Sequence, residues 1–457
     1  MYSSIYKNII FPFYETILMR RKTIAYLDEL EKNQWLSIEA LEGIQWQKLL
    51  KLLNHAYDNV PYYRRRFNEA GLTINEIKNP SDFAKIPFLT KDDIRANKDD
   101  LIAKNYKNSK MFDSTTGGST GTPLRFKLDH NNYEWRQAAI KRVYGWSGYS
   151  DGEKTVFIWG AGVHKGSLKK KWKHDLDETL KRHKIYNTFY FSEETMPRYA
   201  NEINRFKPGF IIAYTSPLYN FARYVKDKAI NIWTPKAIIV GAEKLFPAQR
   251  GVIKEVFRAP VFETYGCREV TSIAGECEMH NGMHINMENI YLEIVKDSCC
   301  ARSGEDGEIV VTDLTNYAMP FIRYKNEDIG ALSEEKCSCG RSLKLLKNVQ
   351  GRILDTIRTA DGRSIPGEFF IYWFMNFDEI KRFQVVQDSI DRLVIKIAPS
   401  KEISAERIDL LRSIIFKIMG DKISIDFEFV DEIPLTESGK YRVVVSKVQP
   451  ELVASKI

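Results

Sequence analysis

The chain has 457 residues, of which 44% are hydrophobic and 28% are charged. This apolar fraction is large enough to close a core and no segment is compositionally degenerate, so fibrous, low-complexity and wholly disordered classes are excluded. The 68 Lys and Arg residues outnumber the 60 Asp and Glu residues, which gives a formal charge of +8. This mild cationic bias suits an anionic small molecule as well as a nucleic acid.

The cysteine content and the N-terminal segment indicate where the protein acts. Six cysteines are too few for a disulfide scaffold in a chain of this length, and the start does not resemble a signal peptide, so we expect a reduced, cytoplasmic protein. The most apolar early stretch, Ile5 to Met19, is interrupted by Lys7, Pro12 and Glu15 and is too short to cross a bilayer. Two placements remain open for it: packing on its own domain, or lying on a membrane surface.

Helical patterns dominate roughly the first 110 residues, as in the runs from Trp46 to Tyr57 and from Tyr62 to Ala70. No chemistry is visible in this part. From Lys154 the pattern changes to short apolar runs of strand length.

Three apolar strands alternate with helices between Phe210 and Glu269, which indicates a parallel sheet covered on both faces. Strands are predicted at 210–214, 237–240 and 261–265, and helices at 216–226, with Ser216 as the N-cap, and at 247–257. Ligands of such sheets bind beyond the carboxyl ends of the strands. A candidate ligand site is therefore formed by Tyr214-Thr215-Ser216, Gly241-Ala242-Glu243 and Tyr265-Gly266-Cys267-Arg268-Glu269.

The rest of the chain predicts a second, smaller domain. Strand patterns follow Asn286, and past Gly351-Arg352 a hairpin, a helix and a strand make a small α+β unit. The predicted fold class is α/β, with a large domain over 1–351 built on mainly parallel, helix-covered sheets and a small domain over 352–457. Within the large domain, 1–110 is the helical region and 111–351 carries the ligand site.

A loop rich in hydroxyls and glycines, from Asp113 to Pro123, is the sharpest local feature. Its backbone N–H groups and side-chain hydroxyls can face a polyphosphate with little steric obstruction. It is not a Walker loop, because Gly121 is followed by Thr122-Pro123 where that motif needs Lys. A loop of this kind alone is more often a surface turn, so other motifs must decide.

Six motifs follow one another in the order of a known superfamily. They are the loop, Gly241-Ala242-Glu243, Tyr265 to Glu269, Arg323-Tyr324-Lys325-Asn326-Glu327-Asp328, Gly351-Arg352 and Thr436-Glu437-Ser438-Gly439-Lys440. With this order the chain resembles the adenylate-forming enzymes over nearly its whole length. It is most similar to their phenylacetate:CoA ligase branch, including relatives from bacterial capsule and O-antigen polysaccharide clusters. The resemblance implies an ATP-dependent ligase that adenylates a carboxylic acid and releases pyrophosphate.

The resemblance also implies roles for individual residues. Those that would contact the phosphates, adenine and ribose of ATP are Ser114, Thr115, Gly117, Gly118, Ser119, Gly121, Thr122, Gly241, Ala242, Glu243, Tyr265, Gly266, Asp328 and Arg352. The implied catalytic residues are Thr116, Thr120, Glu269 and Lys440. Glu269 would hold Mg²⁺, and Lys440 would enter from a mobile C-terminal lid domain to bridge the carboxylate and the α-phosphate. At the hinge, Leu354 stands where the family has an acidic residue, so the hinge residue remains open.

The acceptor of the acyl group also remains open. A thiol of CoA or of a phosphopantetheine carrier protein, and an amine or hydroxyl of a nucleotide-linked amino sugar, are the alternatives. The basic run from Lys165 to Lys184 is either a solvated face or a contact for the phosphates of such an acceptor. No nucleic-acid-reading module accompanies it, so nucleic acid is not an expected partner. Membrane contact would be peripheral at most, and a homodimer is compatible with the sequence.

Three cysteines and a histidine predict a metal site. Cys277, Cys337 and Cys339 with one histidine can close a tetrahedral zinc site of the Cys3His type. His284 is the favoured histidine and His280 the substitute. The resembled branch has cysteines in similar places, some members with bound zinc. The alternative is reduced thiols in an ordinary core.

Two functions of other classes compete with the ligase. A non-catalytic nucleotide-binding protein of the same fold would not need Lys440, Glu269 and Asp328, whose presence argues against it. A basic nucleic-acid-binding protein would show affinity for polyanions that falls steeply with salt.

Overall fold

The computed structural model describes residues 2–106, 110–116, 124–159, 177–188, 194–352, 356–359, 364–366, 370, 373–374, 377, 379–420, 423–434 and 442–448. Contacts within the chain divide it into two units, Met1–Val349 and Gln350–Ile457, and each is described by itself. Seven predicted functional residues lie outside the described residues: Gly117, Gly118, Ser119, Thr120, Gly121, Thr122 and Lys440.

The first unit begins with helices, as the sequence predicts. They are α1 (Tyr2–Ile5), α2 (Thr23–Asn33), α3 (Ile38–Asn59), α4 (Pro61–Glu69), α5 (Pro80–Phe83) and α6 (Lys91–Ala96), with π-helical turns at Tyr6–Ile10 and Phe13–Leu18 and a 3₁₀ turn at Ile74–Glu76. Local chemistry sets the starts of α3 and α4. The Ser37 side chain accepts a hydrogen bond from the Ala40 N–H, and Pro61 has a backbone angle suited to a first turn. None of the described helices is long and apolar enough to span a membrane.

A hairpin and a helix link this helical region to the sheet. Strands β1 (Met111–Thr115) and β2 (Arg125–Asp129) pair antiparallel, with Met111 opposite Asp129. Helix α7 (His130–Gly145) follows β2 directly, and the Asp129 side chain caps it by accepting from the Asn132 N–H.

A twelve-stranded mixed sheet forms the centre of the first unit, in the order β11-β10-β12-β13-β14-β9-β8-β7-β6-β5-β3-β4. The strands are β3 (Thr155–Trp159), β4 (His183–Asn187), β5 (Phe210–Tyr214), β6 (Ala237–Gly241), β7 (Val261–Cys267), β8 (Thr271–Glu276), β9 (Met283–Ile285), β10 (Ile290–Lys296), β11 (Cys299–Cys300), β12 (Gly307–Asp313), β13 (Tyr324–Leu332) and β14 (Leu345–Arg352). The core of the unit lies between α3, α4 and the antiparallel strands, and it includes Leu49, Phe67, Ile309 and Leu346.

The parallel part of the sheet consists of β4, β3, β5, β6 and β7. Helices α8 (Met196–Phe206), α9 (Thr215–Asp227) and α10 (Pro247–Phe257) connect these strands. Every residue of β5 and β6 is buried, because helices cover both faces of parallel strands. The predicted α/β class is confirmed. From β8 onward the sheet continues with antiparallel pairs. Strands β10 to β14 lie in the region after Asn286 that the sequence predicts to be rich in strands, whereas β8 and β9 precede it.

The predicted N-cap of α9 is wrong. The helix begins at Thr215, so Ser216 lies inside its first turn and does not cap it. The backbone N–H of Ser216 is instead bound by the carboxylate of Glu243, at 2.7 Å. The Glu243 side chain, just after the end of β6, thus accepts from a helix N–H group that has no partner within the helix.

The second unit is a small α+β arrangement. Strands β15 (Thr356–Arg358) and β16 (Ser364–Pro366) pair with each other, and β17 (Ile380–Ser389), β18 (Arg392–Pro399), β19 (Ser424–Phe429) and β20 (Val444–Ser446) form a sheet in the order β19-β18-β17-β20. Helix α11 (Ala405–Met419) joins β18 to β19. The hairpin, helix and strand that the sequence predicts are all present.

Candidate active site

The ends of β5, β6 and β7 lie side by side because these strands are parallel neighbours. Tyr214 pairs with Gly241 in the register of β5 and β6. Gly241 permits a close approach to β7, since a Cβ at this position would lie 2.4 Å from Thr264 Oγ1. Ala242 follows with φ +67°, which turns the chain away from the strand. The structure therefore brings Gly241-Ala242-Glu243 next to the β7 end that carries Tyr265.

Glu243 connects the segments that follow β5 and β6. Its carboxylate holds the Ser216 N–H, and its backbone oxygen accepts from Thr215 Oγ1 at 3.0 Å. The start of α9 is thereby fixed to the segment after β6. This fixes the backbone of the Gly-Ala-Glu segment at the predicted ligand edge.

Asp328 lies in a hydrogen-bonded cluster with Tyr265 and Asn326. The Tyr265 hydroxyl donates to Asp328 Oδ2 at 2.7 Å, and Asn326 Nδ2 donates to the same oxygen at 3.2 Å and to the Tyr265 hydroxyl at 2.7 Å. Burial, and then the charge of Asp328, raise the pKa of Tyr265 well above its ordinary value, so the phenol remains a donor. The orientation of the Asp328 carboxylate is set from β7, although Asp328 itself belongs to β13.

Glu269 is buried and held by two other residues. The Tyr324 hydroxyl donates to Glu269 Oε1 at 2.8 Å, and Arg136 donates to the backbone carbonyls of Glu269 and Arg268. The Glu269 side chain is only 6% exposed. Burial raises the pKa of Cys267, next to Glu269, well above its ordinary value, so that the thiol is neutral and adds no second charge. A buried carboxylate with one positioned oxygen is a donor of the hard type that Mg²⁺ prefers.

The hairpin β1–β2 places the start of the predicted phosphate loop. Ser114 and Thr115 end β1. The Thr116 N–H donates to the Leu124 carbonyl at 2.9 Å, and the Leu124 N–H donates to the Thr116 hydroxyl at 2.9 Å. The base of the loop is therefore closed, while residues 117–123 lie outside the described residues. Arg352 ends β14 and only its backbone is described.

Packed aromatic rings connect the β1–β2 hairpin to Glu269. The Phe126 ring lies 5.5 Å from that of Phe321, which stacks on Tyr324 at 5.3 Å. Tyr324 in turn bonds to Glu269. The base of the loop and the proposed metal carboxylate thus share one packed row of side chains.

Arg323 is a buried anchor that the sequence analysis gave no role. Its guanidinium pairs with both carboxylate oxygens of Glu293, at 3.0 and 2.9 Å, and donates to the backbone oxygens of Ala84 and Ile86. These bonds fix the start of β13, which carries Tyr324 and Asp328. A single arginine before a strand gives no sequence signal of such a role, because its partners are far away along the chain.

The predicted metal ligands form one cluster. The ligand atoms of Cys277, His284, Cys337 and Cys339 all lie within 4.8 Å of one another. The Sγ atoms of Cys277 and Cys337 are 3.6 Å apart, and Cys339 Sγ is 3.3 Å from His284 Nε2. Two thiolates on one tetrahedral zinc with bonds of 2.3 Å lie roughly 3.7 Å apart, so this donor set fits zinc.

The surroundings of the two candidate histidines show which of them can be a metal ligand. His284 is fully buried, and its Nδ1 lies 3.4 Å from the Leu343 carbonyl, the contact that typically orients a metal-bound imidazole. Burial lowers the pKa of His284 to about 4, so its ring is neutral, as a ligand must be. His280 instead has its Nδ1 3.1 Å from Glu276 and packs on Phe262. The structure therefore places His284, and not His280, with the cysteines.

Several known proteins are similar to this chain in sequence. Residues 357–447 match the family model of the CapK C-terminal domain. Protein CapK of Staphylococcus aureus is 25% identical over 455 residues, covering 97% of this chain and 98% of CapK. Phenylacetate-coenzyme A ligase of Escherichia coli strain K12 is 27% identical over 339 residues, covering 72% of this chain and 75% of that enzyme.

The fold has a close match among solved structures. The crystal structure of 2-hydroxyisobutyryl-CoA ligase in the postadenylation state, in complex with R3-HIB-AMP, aligns with a TM-score of 0.71 at 20% identity and covers 91% of each chain. The chain is similar in sequence to CapK and to the phenylacetate-CoA ligases, and it shares the fold of an adenylate-forming CoA ligase. The predicted family and the predicted class of enzyme, an adenylate-forming ligase, are confirmed.

Proposed function

We propose that this ligase activates a carboxylic acid with ATP and Mg²⁺, releases pyrophosphate and passes the acyl group from the acyl adenylate to an acceptor. The observation that carries the proposal is a pair of positioned carboxylates, Asp328 in β13 and Glu269 just after the end of β7. Asp328 is oriented by Tyr265 and Asn326, and Glu269 is oriented by Tyr324. Asp328 is bonded to Tyr265 of β7, the strand that pairs with β6, and Glu269 follows the end of β7. Parallel sheets bind ligands at this carboxyl edge.

Backbone atoms of the Gly-Ala-Glu segment and the Asp328 carboxylate would bind the nucleotide. The segment from Gly241 to Glu243, with Tyr265 and Gly266, would line the adenine, since Gly241 and the turn at Ala242 bring backbone close to this edge. Asp328 would accept the two ribose hydroxyls, because a carboxylate offers two oxygens to a vicinal diol. Its position is supported by the donors on Oδ2, which keep the carboxylate from rotating.

The phosphates would be bound by metal, loop and lid. Glu269 would hold Mg²⁺, and Ser114 to Thr122, with Thr116 and Thr120 as catalytic hydroxyls, would surround the polyphosphate. Lys440, in a lid over 352–457, would approach the carboxylate and the α-phosphate as charge develops between them. Closure would exclude water, which would otherwise hydrolyse the mixed anhydride.

The acceptor favoured by the relatives is the thiol of CoA. The phenylacetate-coenzyme A and 2-hydroxyisobutyryl-CoA ligases are both named for that product. An acceptor from surface polysaccharide synthesis is the second candidate, because the similarity to CapK extends over 97% of this chain and the second unit matches the CapK C-terminal model. A carrier thiol or a nucleotide-linked amino sugar would fill this role. A cytoplasmic location, where ATP and CoA are available, is part of the proposal.

We include a structural zinc ion in this account. Cys277, His284, Cys337 and Cys339 would complete its four ligands, so no position would remain for a substrate. The ion would join the end of β8 and β9 to the segment before β14. It would stabilise the first unit and take no part in the chemistry.

Product analysis tests the proposal. The full chain is incubated with ATP, Mg²⁺, CoA and pools of carboxylic acids, and the nucleotide and acyl products are identified by mass spectrometry. The proposal predicts acid-dependent AMP and pyrophosphate, and a thioester where CoA is the acceptor. Release of ADP and phosphate, or nucleotide products that do not depend on any acid, would contradict it.

A further inference from the structure

Within the described residues, the N-terminal segment Tyr2–Leu18 contacts the first unit through one face. Tyr6 is 6% exposed and packs on Gly152, where a Cβ would lie 2.6 Å from the Tyr6 side chain. The Tyr2 hydroxyl donates to the Leu180 carbonyl at 2.6 Å, and the Lys141 ammonium lies 4.3 Å from the centre of the Phe11 ring. These contacts determine which face of the segment points away from the domain.

The opposite face is an exposed apolar ridge. Ile5, Ile9, Phe13 and Ile17 recur every four residues along the helical and π-helical turns, so they share one side, and Leu18 extends the row. Phe13 is 54% exposed, and Ile9, Ile17 and Leu18 are each 60% exposed or more. The described part of the first unit contacts the opposite face of the segment and leaves this ridge exposed.

The charges around the ridge are basic. Arg20 and Lys22, which follow the C-terminal end of the ridge, are exposed, whereas Lys7 is exposed on the side of Phe11. Glu15, the one acidic residue between positions 2 and 22, is buried and paired with Arg21 at 3.0 Å. Three nearby acids on the domain also have partners: Glu134 accepts from the Lys22 backbone N–H at 3.1 Å, Asp151 pairs with Lys141, and Asp177 pairs with Lys181. An occupant of the ridge would therefore meet apolar side chains edged by positive charge.

We propose that this ridge docks the enzyme on an anionic lipid surface. An apolar face flanked by Lys and Arg is the arrangement of helices that lie in the membrane interface without crossing the bilayer. Basic side chains near such a surface are attracted by its negative potential. A second copy of the chain is a poorer occupant, since two such faces would carry the same positive charges of Arg20 and Lys22 into one contact. The inference goes beyond the proposed ligase reaction and does not depend on it.

Vesicle sedimentation with the full chain tests this inference. The chain is expected to sediment with vesicles of phosphatidylglycerol and phosphatidylcholine, to bind pure phosphatidylcholine far more weakly, and to be released by salt. The double variant Ile9→Ser, Phe13→Ser should weaken binding roughly tenfold or more, because two large apolar side chains no longer enter the interface. Arg20→Gln should weaken it roughly five-fold, because one basic side chain near an anionic surface contributes about 1 kcal/mol.

A matched control and an assembly measurement complete the test. Phe429→Ser removes a phenylalanine of similar exposure, 56%, from the second unit and should leave vesicle binding unchanged. Binding by the double variant equal to the parent, or equal binding to neutral and anionic vesicles, would overturn the inference. So would a dimer, seen by light scattering, that the double variant dissociates, because a second copy would then cover the ridge.

Discussion

Tyr324 donates a 2.8 Å hydrogen bond to Glu269 Oε1, and both side chains are buried. Tyr324 begins β13, the strand that also carries Asp328. One strand therefore orients the carboxylate proposed for Mg²⁺ and supplies the carboxylate proposed for the ribose. The buried Arg323–Glu293 pair at the start of that strand fixes both.

Removing the Tyr324 hydroxyl should change the response to metal. In Tyr324→Phe, Glu269 loses a donor, a change that costs about 1.5–3 kcal/mol for a hydrogen bond to a charged group. The Mg²⁺ concentration for half-maximal adenylation should rise about tenfold, as measured by metal titration of the reaction. Tyr63→Phe is the control, because the Tyr63 hydroxyl is equally buried but bonds to the Pro320 and Ile322 backbone. It should lower stability without shifting the Mg²⁺ dependence, and a folded Tyr324→Phe with parental Mg²⁺ dependence would contradict the assignment.

Nucleotide binding should depend on Asp328 and not on its neighbour. Asp328→Ala should weaken ATP and AMP binding far more than it lowers the melting temperature, since the carboxylate is assigned to the ligand. Glu327→Gln is the matched control, because Glu327 pairs with Lys91 at 2.5 Å and has no assigned ligand. Calorimetric titration measures both variants, and equal nucleotide affinity for Asp328→Ala and the parent would remove the assignment.

Lys440 should matter for chemistry more than for binding. Lys440→Ala should lower the rate of adenylate formation by roughly two to three orders of magnitude, the usual cost of losing a placed donor, while ATP still binds. Lys447→Ala, in the same unit, removes an exposed lysine paired with Asp388 and should leave the rate unchanged. An unchanged rate in folded Lys440→Ala would show that another group supplies the charge.

The cysteine cluster should hold a metal that stabilises the fold. Protein purified without chelator should contain close to one zinc per chain, and Cys337→Ser should lose both zinc and thermal stability, because structural zinc contributes folding energy. Cys299→Ser is the control, since Cys299 is exposed and outside the cluster. If metal analysis finds no zinc, or if Cys337→Ser keeps full stability, the cluster is a set of ordinary buried thiols and not a metal site.

The parallel strands could be predicted from the sequence, and the antiparallel part only in outline. Runs such as 210–214 and 237–241 are apolar throughout, and helices separate them, so both strand and sheet type follow from local pattern. The pairing of β14 with β9, which sets Leu345 opposite His284, joins segments far apart along the chain. No local pattern specifies such a partner.

The same limit applies to the site. Glu269, Asp328 and the metal ligands could be proposed from motif order and cysteine spacing. Tyr324, Asn326 and Arg136 act through hydrogen bonds whose partners are chosen by the folded geometry, and their residue types alone do not distinguish them. The motif from Arg323 to Asp328 therefore identified the acid, but neither the strand that carries it nor the hydrogen bonds that orient it.

Exchange of labelled pyrophosphate into ATP, screened across carboxylic acids, tests the central claim most directly, because only reversible adenylate formation returns pyrophosphate to ATP. The account predicts exchange that requires Mg²⁺ and one class of acid, needs no acceptor, and is lost in Asp328→Ala and Lys440→Ala. Exchange without any acid, or the formation of acyl product from ATP by a chain that shows no exchange with the same acid, would contradict it.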